Sequence, residues 1–140
     1  MNSSSTSTSL GLLVLRVSTG ALMLVHGIPK LMGYGEMSQA FPDPIGMGSQ
    51  LTLILAIAAE VGCAVLLILG LGTRLAAIPL AATMLVAWFV VHIEDPWVKQ
   101  ELPALFLSGF VRLILTGAGK FSLDALFSKS RSVEESVSKA

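Results

Sequence analysis

Four long apolar runs, set off by short stretches rich in Gly, Pro and charge, organise this chain. They cover residues 10–32, 51–71, 75–92 and 102–118. A bilayer's hydrocarbon core is roughly 30 Å thick and is crossed by about 20 helical residues, which each run supplies or approaches. The pattern predicts an all-α protein, a bundle of four transmembrane helices. Pro29 falls near the outer end of the first helix, where a lost amide bond bends or ends a helix, and Pro79 falls in the first turns of the third, where proline is tolerated. Along the first run Arg16, Gly20, Met23, Gly27 and Lys30 recur at alternating spacings of four and three, which puts them on one face. Its glycines admit a second helix backbone closely, so this face is expected to be the buried one.

The flanks divide the chain. Residues 1–9 are a Ser/Thr tract with little to bury and are expected to form a mobile N-terminal tail; residues 10–127 form the membrane domain, and the charged, Ser-rich residues 128–140 a disordered C-terminal tail. The connector at 33–50 carries Pro42, Asp43 and Pro44, with Tyr34 and Phe41 suited to the headgroup level, and reads as an ordered cap. The polar turn at 92–101 has Trp97 as an interfacial anchor. With no Lys or Arg before Arg16 and no small-residue cleavage pattern, the first helix reads as retained rather than as a signal peptide. Four spans put both termini on one side. That side and the loop between helices two and three hold five basic residues, Arg74, Lys120, Lys129, Arg131 and Lys139, against two, Lys30 and Lys99, in the other loops. The positive-inside rule then places the termini in the cytoplasm of a multi-pass membrane protein.

Composition sharpens this reading. A content of 54% hydrophobic and 13% charged residues exceeds what a 140-residue soluble domain could hide, since small domains keep much of their surface in water. The expected partner is therefore the lipid bilayer. A net charge of zero gives no attraction to nucleic acid. Cys63, the single cysteine, has no internal partner and sits in an apolar run, where a thiol acts as a small hydrophobe.

The candidate chemistry lies in the charges that interrupt the runs. Each costs about 2.5–3.5 kcal/mol near a membrane centre, so such groups face protein, water or one another. Counted at about 1.5 Å per residue from the cytoplasmic ends, Arg16 and Arg112 lie roughly 9 Å deep, Glu60 roughly 16 Å, and His26 and His92 roughly 24–27 Å. Two polar layers result. The inner one joins Glu60 to Arg16 and Arg112; the outer one gathers His26, Lys30, His92, Glu94 and Asp95. Glu60 is either half of a structural ion pair, with Arg16 its best partner, or a carboxylate that exchanges a proton. Arg112 has the same two readings. His26 and Lys30, four residues apart, are helix neighbours that a quinone carbonyl, an anionic substrate or Glu94 could satisfy. Two histidines without further ligands give little metal signal, and an interfacial, hydrogen-bonded role suits them better. There is no CxxCH and no GxGxxG after a strand, so neither haem nor flavin is expected to be tightly bound.

Three blocks carry a family resemblance: LRVSTGALMLVHGIPKL with its HGxxK, AEVGCAVLLILGLGTRLAA, and LTGAGKFSLDALF with a closing GxGxxSLD. In this order on four apolar spans they resemble the DoxX family of small bacterial four-helix membrane proteins. The resemblance covers residues 10–127 and marks Arg16, His26, Gly27, Lys30, Glu60, Gly70, Arg74, Gly117, Gly119, Ser122 and Asp124 as family-pattern positions; Arg112 lies outside the pattern. Physically, Gly117 and Gly119 suit the chain's exit from helix four, and Ser122 and Asp124 resemble turn or capping residues. Relatives include a subunit of thiosulfate:quinone oxidoreductase and a membrane component of a complex linking thiosulfur transfer to oxidative-stress defence, which implies redox work at the membrane.

Together these readings lead to a redox-associated, quinone-interacting membrane subunit, or an anchor for soluble redox partners, in a larger oxidoreductase or oxidative-stress complex. In that reading His26 and Glu60 carry the chemistry, while Lys30, Arg16, His92 and Arg112 bind substrate or quinone. Two rivals are a non-enzymatic scaffold or assembly factor, whose polar layers only fix helix register, and a small-molecule transporter, which four helices without an internal repeat could form only as a homo-oligomer.

Overall fold

The computed structural model describes residues 3–138 and is built of helices, with no strand among the described residues. Helix α1 (Ser3–Met32) is followed by a single turn, α2 (Tyr34–Met37), and an irregular connector. Helix α3 (Ser49–Leu69) and helix α4 (Thr73–Val91) form a tight hairpin, and α5 (Trp97–Thr116) and α6 (Leu123–Ser138) complete the chain. By length and composition α1, α3 and α4 are long and apolar enough to cross a membrane. Helix α5 is comparably long but carries Lys99, Glu101 and Arg112.

The face expected to be buried is the one that packs. Arg16 and Met23 are each 1% exposed, Gly20 and Gly27 are buried, and Lys30 is half-buried. A methyl group on Gly20 would meet Ile68 Cγ1 at 2.7 Å, and one on Gly27 would meet the Glu60 backbone carbon at 2.9 Å. These two glycines therefore set the close approach of α1 to α3. On the other side α4 and α5 pack along their length, with Ala77, Leu80, Phe110 and Leu113 fully buried in the core between the helices. Val14, Val25, Leu75, Leu105 and Leu115 are more than 60% exposed, an outward apolar surface that suits lipid.

Two helices widen into π-helical turns midway or late in their course. In α3 the wide turn spans Ala58–Cys63 and contains Glu60; in α4 it spans Ala87–Val91, ending where the His92 amide bonds to the Ala87 carbonyl at 2.9 Å. Such turns are rare and concentrate at functional sites. No local sequence signal foretold either one.

Both expected tails differ from the sequence reading. The Ser/Thr tract is helical from Ser3, because it continues α1 and Ser9 is buried against the chain at Gly119. The stretch expected to be a disordered tail is helical through Ser138, its first turn anchored to the bundle by Ser122 and Asp124. Met1, Asn2, Lys139 and Ala140, at the outer edges of those two regions, lie outside the described residues.

Candidate functional site

The polar groups of the bundle collect at its two ends, in a grouping different from the two layers expected. Arg16 does not meet Glu60. Its Nη1 donates to the Ala118 carbonyl at 2.8 Å and its Nη2 to the Phe121 carbonyl at 2.7 Å, with Asp124 acting as countercharge. Glu60 packs level with Gly27, eleven residues along α1 from Arg16, which is roughly 16 Å of helix. The expected Arg16 pairing fails because depth counted from the ends of apolar runs assumes that every helix starts in one plane. Helix α1 starts seven residues before its apolar run. Arg112 is exposed on α5 and joins neither group.

At the Arg16 end the family-pattern residues converge into one knot. Gly70 takes a left-handed conformation, φ +70°, and a side chain there would strike both the Arg16 guanidinium and Ser122. Ser122 accepts from the Ala125 amide and donates to the Gly119 carbonyl, capping α6. Asp124 does something the sequence does not signal. Its carboxylate accepts from the Gly72 amide at 2.7 Å and the Thr73 amide at 3.0 Å, so it caps α4 rather than its own helix, across some fifty residues of chain. Arg74 lies over Gly117 and reaches the Leu115 carbonyl at 3.4 Å. Arg16, Gly70, Arg74, Gly117, Gly119, Ser122 and Asp124 thus tie the start of α4 and the end of α5 to α1.

At the other end Lys30 Nζ meets Glu60 Oε2 at 2.5 Å, an ion pair between α1 and the π turn of α3. The Glu60 side chain is 6% exposed and that of Lys30 23%. Cavities flank this pair on both sides. One, about 180 Å³, is lined by His26, Lys30, Glu60, His92, Lys99 and Phe106 and opens among α1, α4 and α5. The other, about 480 Å³, opens between α3 and α4 under the connector; Lys30, Glu60 and His92 form its polar end, and apolar side chains such as Leu55, Ala59 and Val86 its walls. Lys30, Glu60 and His92 line both.

His92 is fixed from outside the bundle. Its Nδ1 lies 2.7 Å from Asp95 Oδ2, and Lys99 Nζ lies 3.4 Å from the other Asp95 oxygen. The His92 hydrogen bond, helped by Lys99, holds the Asp95 carboxyl below its ordinary range. His26 is exposed along α1, its ring 6.2 Å from Phe106 edge to face, and it lines the smaller cavity but not the larger. Glu94, expected in the same layer, is exposed. Among the described residues no three of His, Cys, Asp and Glu converge as a metal site.

The connector residues at the larger cavity were not foreseen as part of a site. Phe41, Pro42, Pro44 and Ile45 roof it. Asp43 fastens that roof: its carboxylate accepts from the Met47 and Gly48 amides at 2.9 and 2.8 Å and from the Thr52 hydroxyl at 2.9 Å. These bonds, the Gly48 amide first, hold the Asp43 carboxyl below its ordinary value. An Asp between prolines and ahead of two glycines is a turn signal that could have revealed this clamp.

Comparison with known proteins agrees with the residue pattern. The DoxX family model matches residues 11–93. A Bacillus subtilis protein named "Putative oxidoreductase CatD" is 32% identical over 123 residues, covering 87% of this chain and 90% of its own. A Haemophilus influenzae protein described as an uncharacterized protein is 30% identical over 126 residues, covering 84% of this chain and 83% of its own. No solved structure matches.

Proposed function

This chain belongs to the DoxX family, and from that premise we propose that it is a quinone-interacting subunit or anchor of a larger redox assembly in the bacterial inner membrane. The observation that carries the reading is the shared wall: one Lys30–Glu60 pair with His92 lines both a largely apolar cavity and a smaller one of mixed lining. The name of the Bacillus relative is consistent with redox work. In this reading α5 is the fourth span, since it packs along α4, and the basic residues near α6 and at Arg74 hold both termini in the cytoplasm.

The larger cavity suits a flat ring with oxygens at one edge. Its volume of about 480 Å³ lies in the range of small-molecule sites, its walls are largely apolar, and its ionisable groups are Lys30, Glu60 and His92, with Thr52 and Thr83 the other polar side chains of the lining. It opens between two apolar helices, so a lipid-soluble ligand can enter from the bilayer. A quinone bound there supplies two-electron, two-proton chemistry, its electrons coming from a soluble redox partner or reductant. The protein's own contributions are positional. Lys30 Nζ donates toward a carbonyl oxygen at the polar end, and His92, oriented by Asp95, stands beside it. Glu60 is the carboxylate that holds or passes a proton between the two cavities. The connector fastened by Asp43 covers the apolar part. His26 lines the smaller cavity and not the larger, so its role is on that side of the pair. Arg16 and Arg112 have no part in this site.

The test is gentle extraction from the native membrane followed by mass spectrometry, on wild type and Glu60→Gln. Stoichiometric quinone with wild type, lost from a folded variant, is the expected result. A protein free of quinone that carries a defined protein partner in both forms favours the scaffold instead.

A further inference from the structure

The C-terminal helix α6 is unused by any of this chemistry, and its surface has a definite pattern. Residues 126–132 are all exposed, so over this stretch the helix is not buried against the rest of the protein. Leu126 and Phe127 are 60% and 63% exposed. At roughly 100° per residue they share one side with Leu123 and the small Ser130, while Ser128 and Ser132 take the opposite side. Lys129 and Arg131 fall at the two borders of the apolar side, one on each flank. Long basic side chains on both borders of an apolar stripe are the arrangement of a helix lying in a lipid interface, with stems over hydrocarbon and heads among phosphates.

The position of the helix base selects the occupant. Asp124 and Ser122 fasten the first turn to the start of α4 and to the 117–122 loop, at the end of the membrane-crossing helices. The helix is thus held at the lipid–water boundary. Its apolar side continues an outward apolar surface at the same end, including Leu69, Leu75, Leu115 and Phe121, all exposed. Lys120 adds a third basic residue at this level. Glu134 and Glu135 follow in sequence, which confines the lipid contact to the first half of the helix.

We propose that α6 lies along the membrane surface, with Leu126 and Phe127 in the acyl–headgroup boundary and Lys129 and Arg131 on anionic headgroups, forming a lipid-seated collar at the Arg16 end of the bundle. The collar is independent of what the cavities bind. It holds the 117–124 knot against the bilayer and presents the side of Ser128 and Ser132 to water.

The experiment is site-directed spin labelling of the full chain in vesicles of phosphatidylcholine and phosphatidylglycerol. Single cysteines are placed at each of positions 125–132 in a Cys63→Ala background, and collisions with oxygen and with a water-soluble nickel chelate are read at each. The expected result is a helical period, with oxygen collisions several-fold higher at 126 and 127 than at 128 and 132, and the chelate showing the reverse. Replacing phosphatidylglycerol with phosphatidylcholine, or making Lys129→Gln with Arg131→Gln, should flatten the period. Chelate access at every position means the helix projects into water and overturns the proposal. Labels at 126 and 127 that are immobilised and shielded from both reagents mean a protein contact, and overturn it equally.

Discussion

The two ends of this bundle each take in a basic residue from α1, and they treat it in opposite ways. Arg16 is taken up by backbone: two carbonyls accept its guanidinium, beside an open surface groove. Lys30 is taken up by one carboxylate, with space on either side. A planar guanidinium with several donors can tie loops together, whereas a lysine offers a single compact charge that can turn toward a partner. The contrast teaches that a charge within a membrane helix marks function only where its neighbourhood leaves room for something else. At the Arg16 end the charge ties loops to the bundle; at the Lys30 end it borders two cavities.

Substitutions should separate the two ends by which property fails. Arg16→Ala is expected to have the largest effect, since two charge-assisted hydrogen bonds at about 1.5–3 kcal/mol each are lost. Thermal unfolding in detergent should fall steeply, and Arg16→Lys should not restore it, because one ammonium cannot span both carbonyls. Gly27→Leu comes next. Its side chain would collide with Val61 and the Glu60 backbone, and overpacking of this kind costs roughly 1–3 kcal/mol, read in the same melts.

Glu60→Gln inverts the balance. Lys30 is partly exposed and can turn to water, so stability should drop by about 1 kcal/mol at most while quinone binding is lost. Unchanged binding with a collapsed melting temperature would erase the distinction between the ends. A smaller, conditional effect belongs to Asp43. Its carboxyl is held below the ordinary range when folded, so the clamp's stabilisation is present above the unfolded value and is lost as pH falls through the folded one. The connector should therefore stay fastened through the usual carboxylate range, near pH 4, and loosen only below it. The carboxyl carbon shift of Asp43 and amide protection of Gly48 would report this, and Asp43→Ala should remove the pH dependence. Arg112→Gln, on an exposed position, should change stability by less than about 0.5 kcal/mol.

Much of the fold was legible because it rests on local pattern. Helical periodicity in α1 identified the buried face from Arg16 to Lys30, and small residues identified where helices touch. The partners were less legible. Glu60 was matched with Arg16 because depth along separate helices is a one-dimensional measure, while pairing depends on the stagger between helices; that stagger is set here by Gly27 against Glu60. The π turns at 58–63 and 87–91 have no sequence signature, and without them the positions of Glu60 and His92 could not be foreseen. Asp124 was read as a cap, and is one, but for a helix fifty residues away, which only the closed structure reveals. The helical ends of the chain were missed because serine-rich composition argues against packing, whereas α1 and α6 extend there from anchored turns.

The most direct test is to locate a bound quinone rather than to infer it. A short-chain azidoquinone, photoactivated on the protein in native membrane vesicles and mapped by mass spectrometry, should label residues around the larger cavity, such as Phe41, Leu55 and Val86, and lose those labels in Glu60→Gln. Labels confined to outward apolar positions such as Leu75 and Leu105, or gathered in the groove near Arg74 and Asp124, would contradict the account and return the Lys30–Glu60 pair to a structural role.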